Sequence, residues 1–300
     1  MVSDYATLFK FRVSTMVLIT AATGLYLGDL RSGISPFHAS SVWALVGIAI
    51  VTCGSSALNQ VLERKSDARM PRTAARPMVT GRIGLAQGLV LGFAATFGGA
   101  VWLAYQTNLL TGTLTLLTAV SYVAIYTPLK RITSLNTFVG AFPGALPPLI
   151  GWTAARGVIE WPGVALFAVL FVWQFPHFMA IGWMYREDYR MGGIRVAASQ
   201  EPVQWAARSV VAQALFYAVL MIPVSLWTTW LGVTGVPYAA VATLLGLGYL
   251  WYTVKFAGIL RDPGAAENER VARNLLKASV IYLPLLLAAM ILDARGRLLF

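Results

Sequence analysis

The chain has 300 residues, of which 58% are apolar and only 12% charged, with a net charge of +11 and a mean hydropathy of +0.68. That composition lies outside the range of soluble domains and describes an integral membrane protein. The basic excess does not call for nucleic acid, because 19 of the 23 Lys and Arg fall in alternate connections, on one side of the expected membrane.

Segments long enough to cross a hydrocarbon core, about 20 helical residues, run over roughly 10-30, 40-62, 85-106, 109-127, 134-154, 161-184, 207-231, 236-257 and 275-293. The expectation is an all-α bundle of about nine transmembrane helices forming a single integral-membrane domain over 1-300. The basic connections place the N-terminus in the cytoplasm and the C-terminus outside. The long connections lie on the same basic side, so a central cavity is expected to open towards the cytoplasm. A bacterial inner membrane is the expected location, since no targeting extension precedes the first span. Cys53 is the single cysteine and permits no intrachain disulfide.

In chain order, the first dense polar stretch begins inside the second span. Asn59, Glu63 and Asp67 are spaced i, i+4, i+8, so a helix stacks them on one face about 6 Å apart. Such a stripe of oxygens suits a hard divalent cation, and Arg69, Arg72 and Arg76 behind it suit phosphate. A solvated helix end anchored by basic residues explains the arginines but not acids placed in a span.

The fourth span ends in Tyr126, Lys130, Arg131 and Asn136, ahead of the Gly- and Pro-rich 140-148. The phenol, paired cations and amide have the makings of a phosphate clamp, and the prolines imply a broken helix beside a cavity. Ordinary topology anchors would also account for Lys130 and Arg131.

The sixth span carries Trp173 and His177 and leads to Asp188, which shares an Asp-x-Arg-Met pattern with Asp67. Eleven residues make three helical turns, so an unbroken helix would set His177 and Asp188 on one face. Spacing alone favours a hydrogen-bonded structural histidine, and the aromatic residues suit a packing role as well as a pocket for a flat ring. His38 falls in a short loop on the opposite side.

Taken together, 59-77, 126-136 and 173-189 resemble the three motifs of the UbiA-type intramembrane prenyltransferase superfamily, in its protoheme IX farnesyltransferase branch. Met70, Arg72, Thr73, Arg76 and Pro77 match that branch's first motif ending, and the resemblance covers nearly the whole chain. It departs from the superfamily in having Glu63 and Met184 where aspartates are usual, and Phe11 where the branch carries proline between Lys10 and Arg12.

The resemblance implies transfer of a farnesyl group from farnesyl diphosphate to haem b, a substrate here and not a cofactor. Asp67, Asp188, Lys130 and Arg72 would be catalytic. Asn59, Glu63, Asp67 and Asp188 would hold Mg²⁺. Lys10, Arg69, Arg72, Arg76, Tyr126, Lys130 and Arg131 would hold the diphosphate, with His177 and Trp173 at the haem. Haem A synthase or terminal-oxidase assembly would be partners, the lipid bilayer the medium, and nucleic acid none. A sister enzyme with an aromatic acceptor, or a transporter of an anionic lipid-like substrate, would use similar polar groups.

Overall fold

In the computed structural model, residues 2-36 and 38-298 are described, the side chains of 295-298 excepted. The described residues contain helices and no strand. In a bilayer core, where water cannot satisfy backbone polar groups, helices meet that demand internally.

A short helix α1 (Val2–Leu8) precedes α2 (Phe11–Arg31), α3 (Ala39–Asp67), the single turn α4 (Pro77–Thr80), α5 (Leu85–Gln106) and α6 (Leu109–Val120). A π-helical turn, Ser121–Tyr126, continues α6 into the short α7 (Thr127–Leu129). Then come α8 (Asn136–Ala145), α9 (Pro147–Arg156), α10 (Trp161–Met184), α11 (Arg186–Met191), α12 (Val203–Trp230), α13 (Val236–Phe256) and α14 (Asn268–Leu298).

Eight of these helical segments are long and apolar enough to cross a membrane. The ninth expected span is the α8–α9 pair, divided at Leu146 into two ten-residue halves. Pro147 has no N–H to continue the ladder, and Pro143 and Pro148 weaken it on either side. Asn108 starts α6 by accepting the Thr111 N–H at 2.9 Å, and Gly157, at φ 71°, ends α9 in the left-handed conformation open to glycine.

The described residues pack in three apolar clusters, the smallest around Leu8, Ala57, Met78 and Ile83. Another joins α2, α3, α5, α6 and α9 around Ile48, Val51, Leu103 and Ile150. The largest joins α10, α12, α13 and α14 around Trp183, Tyr238, Tyr249 and Phe256. Helices α2 and α9 approach so closely that a Cβ on Gly24 would lie 1.8 Å from the Pro148 carbonyl oxygen, and one on Gly151 1.9 Å from that of Ala21. Without a hydrophobic drive between helices in lipid, small residues of this kind let dispersion contacts form along the backbones. The close fit fixes the broken α8–α9 segment as one wall of a central cavity.

Candidate active site at the basic end of the bundle

The last turns of α3 carry Asn59, Glu63 and Asp67, which are 0%, 8% and 1% exposed. Carboxylates so deep in an apolar bundle require partners, and each has a cation. Lys130 Nζ lies 2.6 Å from Glu63 Oε1. Arg76 donates to Asp67 Oδ2 at 2.6 Å, because the loop after α3 folds back and Thr73 Oγ1 bonds the Asp67 carbonyl at 2.9 Å. Lys10 Nζ reaches Asn59 Oδ1 and, at 3.2 Å, the Tyr122 hydroxyl. The Asn59 amide donates to Thr127 Oγ1 at 2.9 Å.

Lys10 adopts φ 48° and ψ 49° at the start of α2. It is the one non-glycine among the described residues with positive φ, a conformation in which the Cβ crowds the backbone and which is retained where surrounding contacts hold it. Here those contacts are made by its own ammonium group.

On the π-helical turn, Tyr122 and Tyr126 stack with ring centroids 5.7 Å apart. Lys130 Nζ lies 4.5 Å from the Tyr126 centroid and Lys10 Nζ 5.9 Å from that of Tyr122. The wider turn sets both phenols beside the two ammonium groups, as π-bulges often do at functional sites. Burial works to lower the Lys130 pKa, but Tyr126 and Glu63 beside it outweigh that and hold it above the ordinary lysine value. The lysine is a fixed cation.

Asp188 belongs to α11, separated from α10 by a break at Tyr185. Its carboxylate faces Arg72 Nε at 3.6 Å. The Arg72 guanidinium lies 5.1 Å from the Tyr185 ring centroid and 5.0 Å from that of Tyr189. Met70 packs against Gly192, where a Cβ would come within 2.9 Å of its sulfur. The two Asp-x-Arg-Met stretches therefore meet, although one acid ends a long helix and the other sits on a short separate one. Arg131 donates to Ser66 Oγ at 3.1 Å, and Arg69 is exposed at the same end.

A cavity of about 310 Å³ runs inward from this cluster, with Lys10, Tyr122, Tyr126 and Lys130 at its mouth and Val13, Val17, Val51 and Ile150 among its apolar walls. Gly140 leaves room for Tyr126, since a Cβ there would lie 2.4 Å from the ring. Gln174 and Phe178 of α10 also line it.

His177 and Trp173 are directed elsewhere. His177 Nδ1 lies 2.7 Å from Ser279 Oγ, Trp173 Nε1 donates to the Ser279 carbonyl at 2.9 Å, and the two rings stack at 4.9 Å. Both engage α14, so the common face expected for His177 and Asp188 does not form. The break at Tyr185 removes the helical register on which it depended.

Sequence reasoning passed over Tyr122 and Arg195. The first had a signal, lying one turn before Tyr126. The second had none: its N–H donates to the Lys130 carbonyl at 2.7 Å, and its carbonyl accepts from Asn136 Nδ2 at 2.5 Å. Asn136 thus secures the loop after α11 to the loop bearing Lys130, instead of facing a phosphate.

Among the described residues, no three of His, Cys, Asp and Glu form a ready-made metal cage. Mg²⁺ seldom uses one, taking one or two carboxylates and completing its shell with substrate phosphate and water. Asn59, Glu63 and Asp67, on successive turns of α3, are a hard-oxygen set of that kind, so these residues fit a divalent ion arriving with an anionic substrate.

The family model described as the UbiA prenyltransferase family matches residues 17–274. A protein of Koribacter versatilis named protoheme IX farnesyltransferase is 44% identical over 97% of this chain and 93% of its own. One of the same name from Solibacter usitatus is 38% identical over 98% and 99%. Among solved structures, a digeranylgeranylglyceryl phosphate synthase superposes with a TM-score of 0.77 at 17% identity, covering 98% of this chain and 99% of the other. A UbiA homologue from Archaeoglobus fulgidus, bound to DMAPP and Mg²⁺, gives 0.63 at 15% identity over 96% and 99%. Those two likenesses establish the fold, and the sequence matches establish the lineage: the chain belongs to the UbiA prenyltransferase family.

Proposed function

We propose that this chain transfers the farnesyl group of farnesyl diphosphate to a vinyl group of haem b, giving haem O. The observation that carries the reading is a cavity whose mouth is cationic and whose body is apolar, in a chain 44% identical to a protein named protoheme IX farnesyltransferase. An anionic head and a prenyl tail have opposite solvation needs, and this cavity meets both.

In this reading Lys10, Lys130, Arg72 and Arg76, with Arg69, Arg131 and the Tyr126 hydroxyl around them, receive the diphosphate. Each internal ion pair exchanges its partner on binding: the cations turn to phosphate oxygens, and the released Asn59, Glu63, Asp67 and Asp188 oxygens would hold Mg²⁺. When bound, the metal supplies charge neutralisation at the leaving group. The lysines and arginines add preorganised positive charge where the departing oxygen becomes negative. The C1–O bond of the donor breaks, diphosphate leaves, and C1 bonds to the terminal vinyl carbon. Water adds its hydroxyl to the inner vinyl carbon and releases a proton. The Tyr122 and Tyr126 faces beside the mouth suit a developing allylic cation, and the apolar walls exclude water from it.

His177 and Trp173, tied to Ser279, are assigned to holding α10 against α14. The same reading takes the chain as one membrane domain of a bacterial inner membrane, with the cavity mouth on the cytoplasmic side, and places haem A synthase or oxidase assembly downstream.

The test is incubation of purified protein in nanodiscs with Mg²⁺, haem b and farnesyl diphosphate, followed by chromatography and mass spectrometry. Haem O that disappears with EDTA supports both reaction and metal. Diphosphate release only with an aromatic acid acceptor moves the chain to a sister activity, and donor recovered unchanged with every acceptor overturns the transfer reaction.

A further inference from the structure

The central cavity has a definite depth. Along α3 its wall runs from Ser56 to Ile48, eight residues or about 12 Å, and Lys10 at the cationic mouth bonds Asn59 nearly one turn further out. On α6 and the turn after it, the wall runs from Tyr126 to Thr115, eleven residues or about 16 Å. Ile48 and Thr115 are the innermost lining residues of these two walls. There Ile48 and Ile150 are 1% and 2% exposed and join Ala21, Ala100 and Leu103 in a close-packed apolar plug.

The walls are less polar than their sequence. Thr52, Thr115 and Thr118 line the cavity, yet each hydroxyl donates to its own helix at 2.7 Å, to the carbonyls of Ile48, Thr111 and Leu114. Ser55 does the same to Thr52 at 3.0 Å. With these hydroxyls committed to backbone carbonyls, the surface offered to a guest is suited to hydrocarbon, without the cost of an unpaired polar group.

We infer that Ile48 and Ile150 form a stop that selects the prenyl donor by length. This rests on the donor being a prenyl diphosphate with its head at Lys10 and Lys130. A farnesyl main chain has twelve carbons, and eleven bonds of about 1.5 Å give a contour of roughly 17 Å, shorter end to end. A geranylgeranyl chain adds four bonds, roughly 6 Å of contour, and meets the plug. Selection follows from close packing: the extra carbons must displace side chains that have no space to yield.

The test measures equilibrium binding of radiolabelled farnesyl and geranylgeranyl diphosphates with Mg²⁺ and no acceptor, to the full chain in nanodiscs. Wild type is expected to favour the shorter donor by about tenfold or more, and Ile48→Ala or Ile150→Ala to bring the ratio to within about threefold by admitting the longer one. Ile48→Val and Ile150→Val provide milder versions, and retained farnesyl binding certifies the fold of each variant. Equal affinities in wild type, or an unchanged ratio in variants that still bind farnesyl diphosphate, would overturn the stop. Wild type that binds neither donor would overturn the donor assignment beneath it. Because haem is absent, an error in the acceptor leaves the result intact.

Discussion

Lys130 Nζ and Glu63 Oε1, 2.6 Å apart, join the ends of two different helices into one buried ion pair beside the cavity. The side chains are 17% and 10% exposed, so the pair is sheltered from solvent screening. Removing one member leaves an uncompensated buried charge at a cost of about 3–5 kcal/mol. Lys130→Met should therefore lower both thermal stability and kcat/KM, the latter by about a hundredfold or more. Adding Glu63→Gln should restore stability without restoring turnover. A double variant that regains activity would show that Lys130 serves the fold alone.

Asp67 is held by Arg76 at 2.6 Å and is assigned to the divalent ion. Asp67→Asn keeps the shape and removes the charge. Turnover should fall by about a hundredfold or more, and the Mg²⁺ concentration giving half-maximal rate should rise. Titration of activity against Mg²⁺ in both proteins decides this, and an unaltered metal dependence would exclude Asp67 as a ligand.

His177 shares Ser279 with Trp173. A positioning role requires His177→Ala and Ser279→Ala to lower the unfolding temperature to similar extents. The KM values for haem and farnesyl diphosphate should each change by less than about threefold, since neither residue touches a substrate in this reading. Selective loss of haem affinity, measured by difference spectroscopy, would return His177 to the acceptor site.

Asn136 holds the Arg195 carbonyl, and the Arg195 N–H in turn holds the Lys130 carbonyl. Asn136→Asp loses the donor and places a buried carboxylate against a carbonyl oxygen, a repulsive contact in a dry site. A decrease in kcat is expected together with faster proteolysis of the loop around Gly192 and Gly193. Loss of activity without any change in loop cleavage would argue against this latch.

At the opposite end of the bundle, a hydrogen bond from Arg156, joined by a weaker one from Trp152, holds the Glu160 carboxyl below its ordinary range against the opposing effect of burial. A depressed carboxylate pKa contributes stability that is complete above the unfolded value, about 4.3. The contribution is lost as pH falls through the lower folded value. Wild type should thus exceed Glu160→Gln in unfolding temperature at pH 7, with the gap closing below about pH 4. A gap independent of pH would show that packing, not charge, distinguishes the two.

Sequence alone determined the membrane class, the approximate spans and the polar stretches that carry the chemistry. Lipid imposes helix, a minimum apolar length and a penalty on unpaired charge, and all three leave local traces: eight long helices fall close to the expected segments, and Asn59, Glu63 and Asp67 do lie on successive turns of α3. Tertiary structure decided the pairings. That Lys10 meets Asn59, that Arg195 meets Lys130, and that His177 turns to Ser279 are relations between residues 49, 65 and 102 positions apart. Such relations depend on helix rotation and close backbone approach, which the 3.6-residue period does not specify. The break at Tyr185 shows the same limit, because one residue outside the helical register redirected Asp188 and dissolved a stripe that the spacing had suggested.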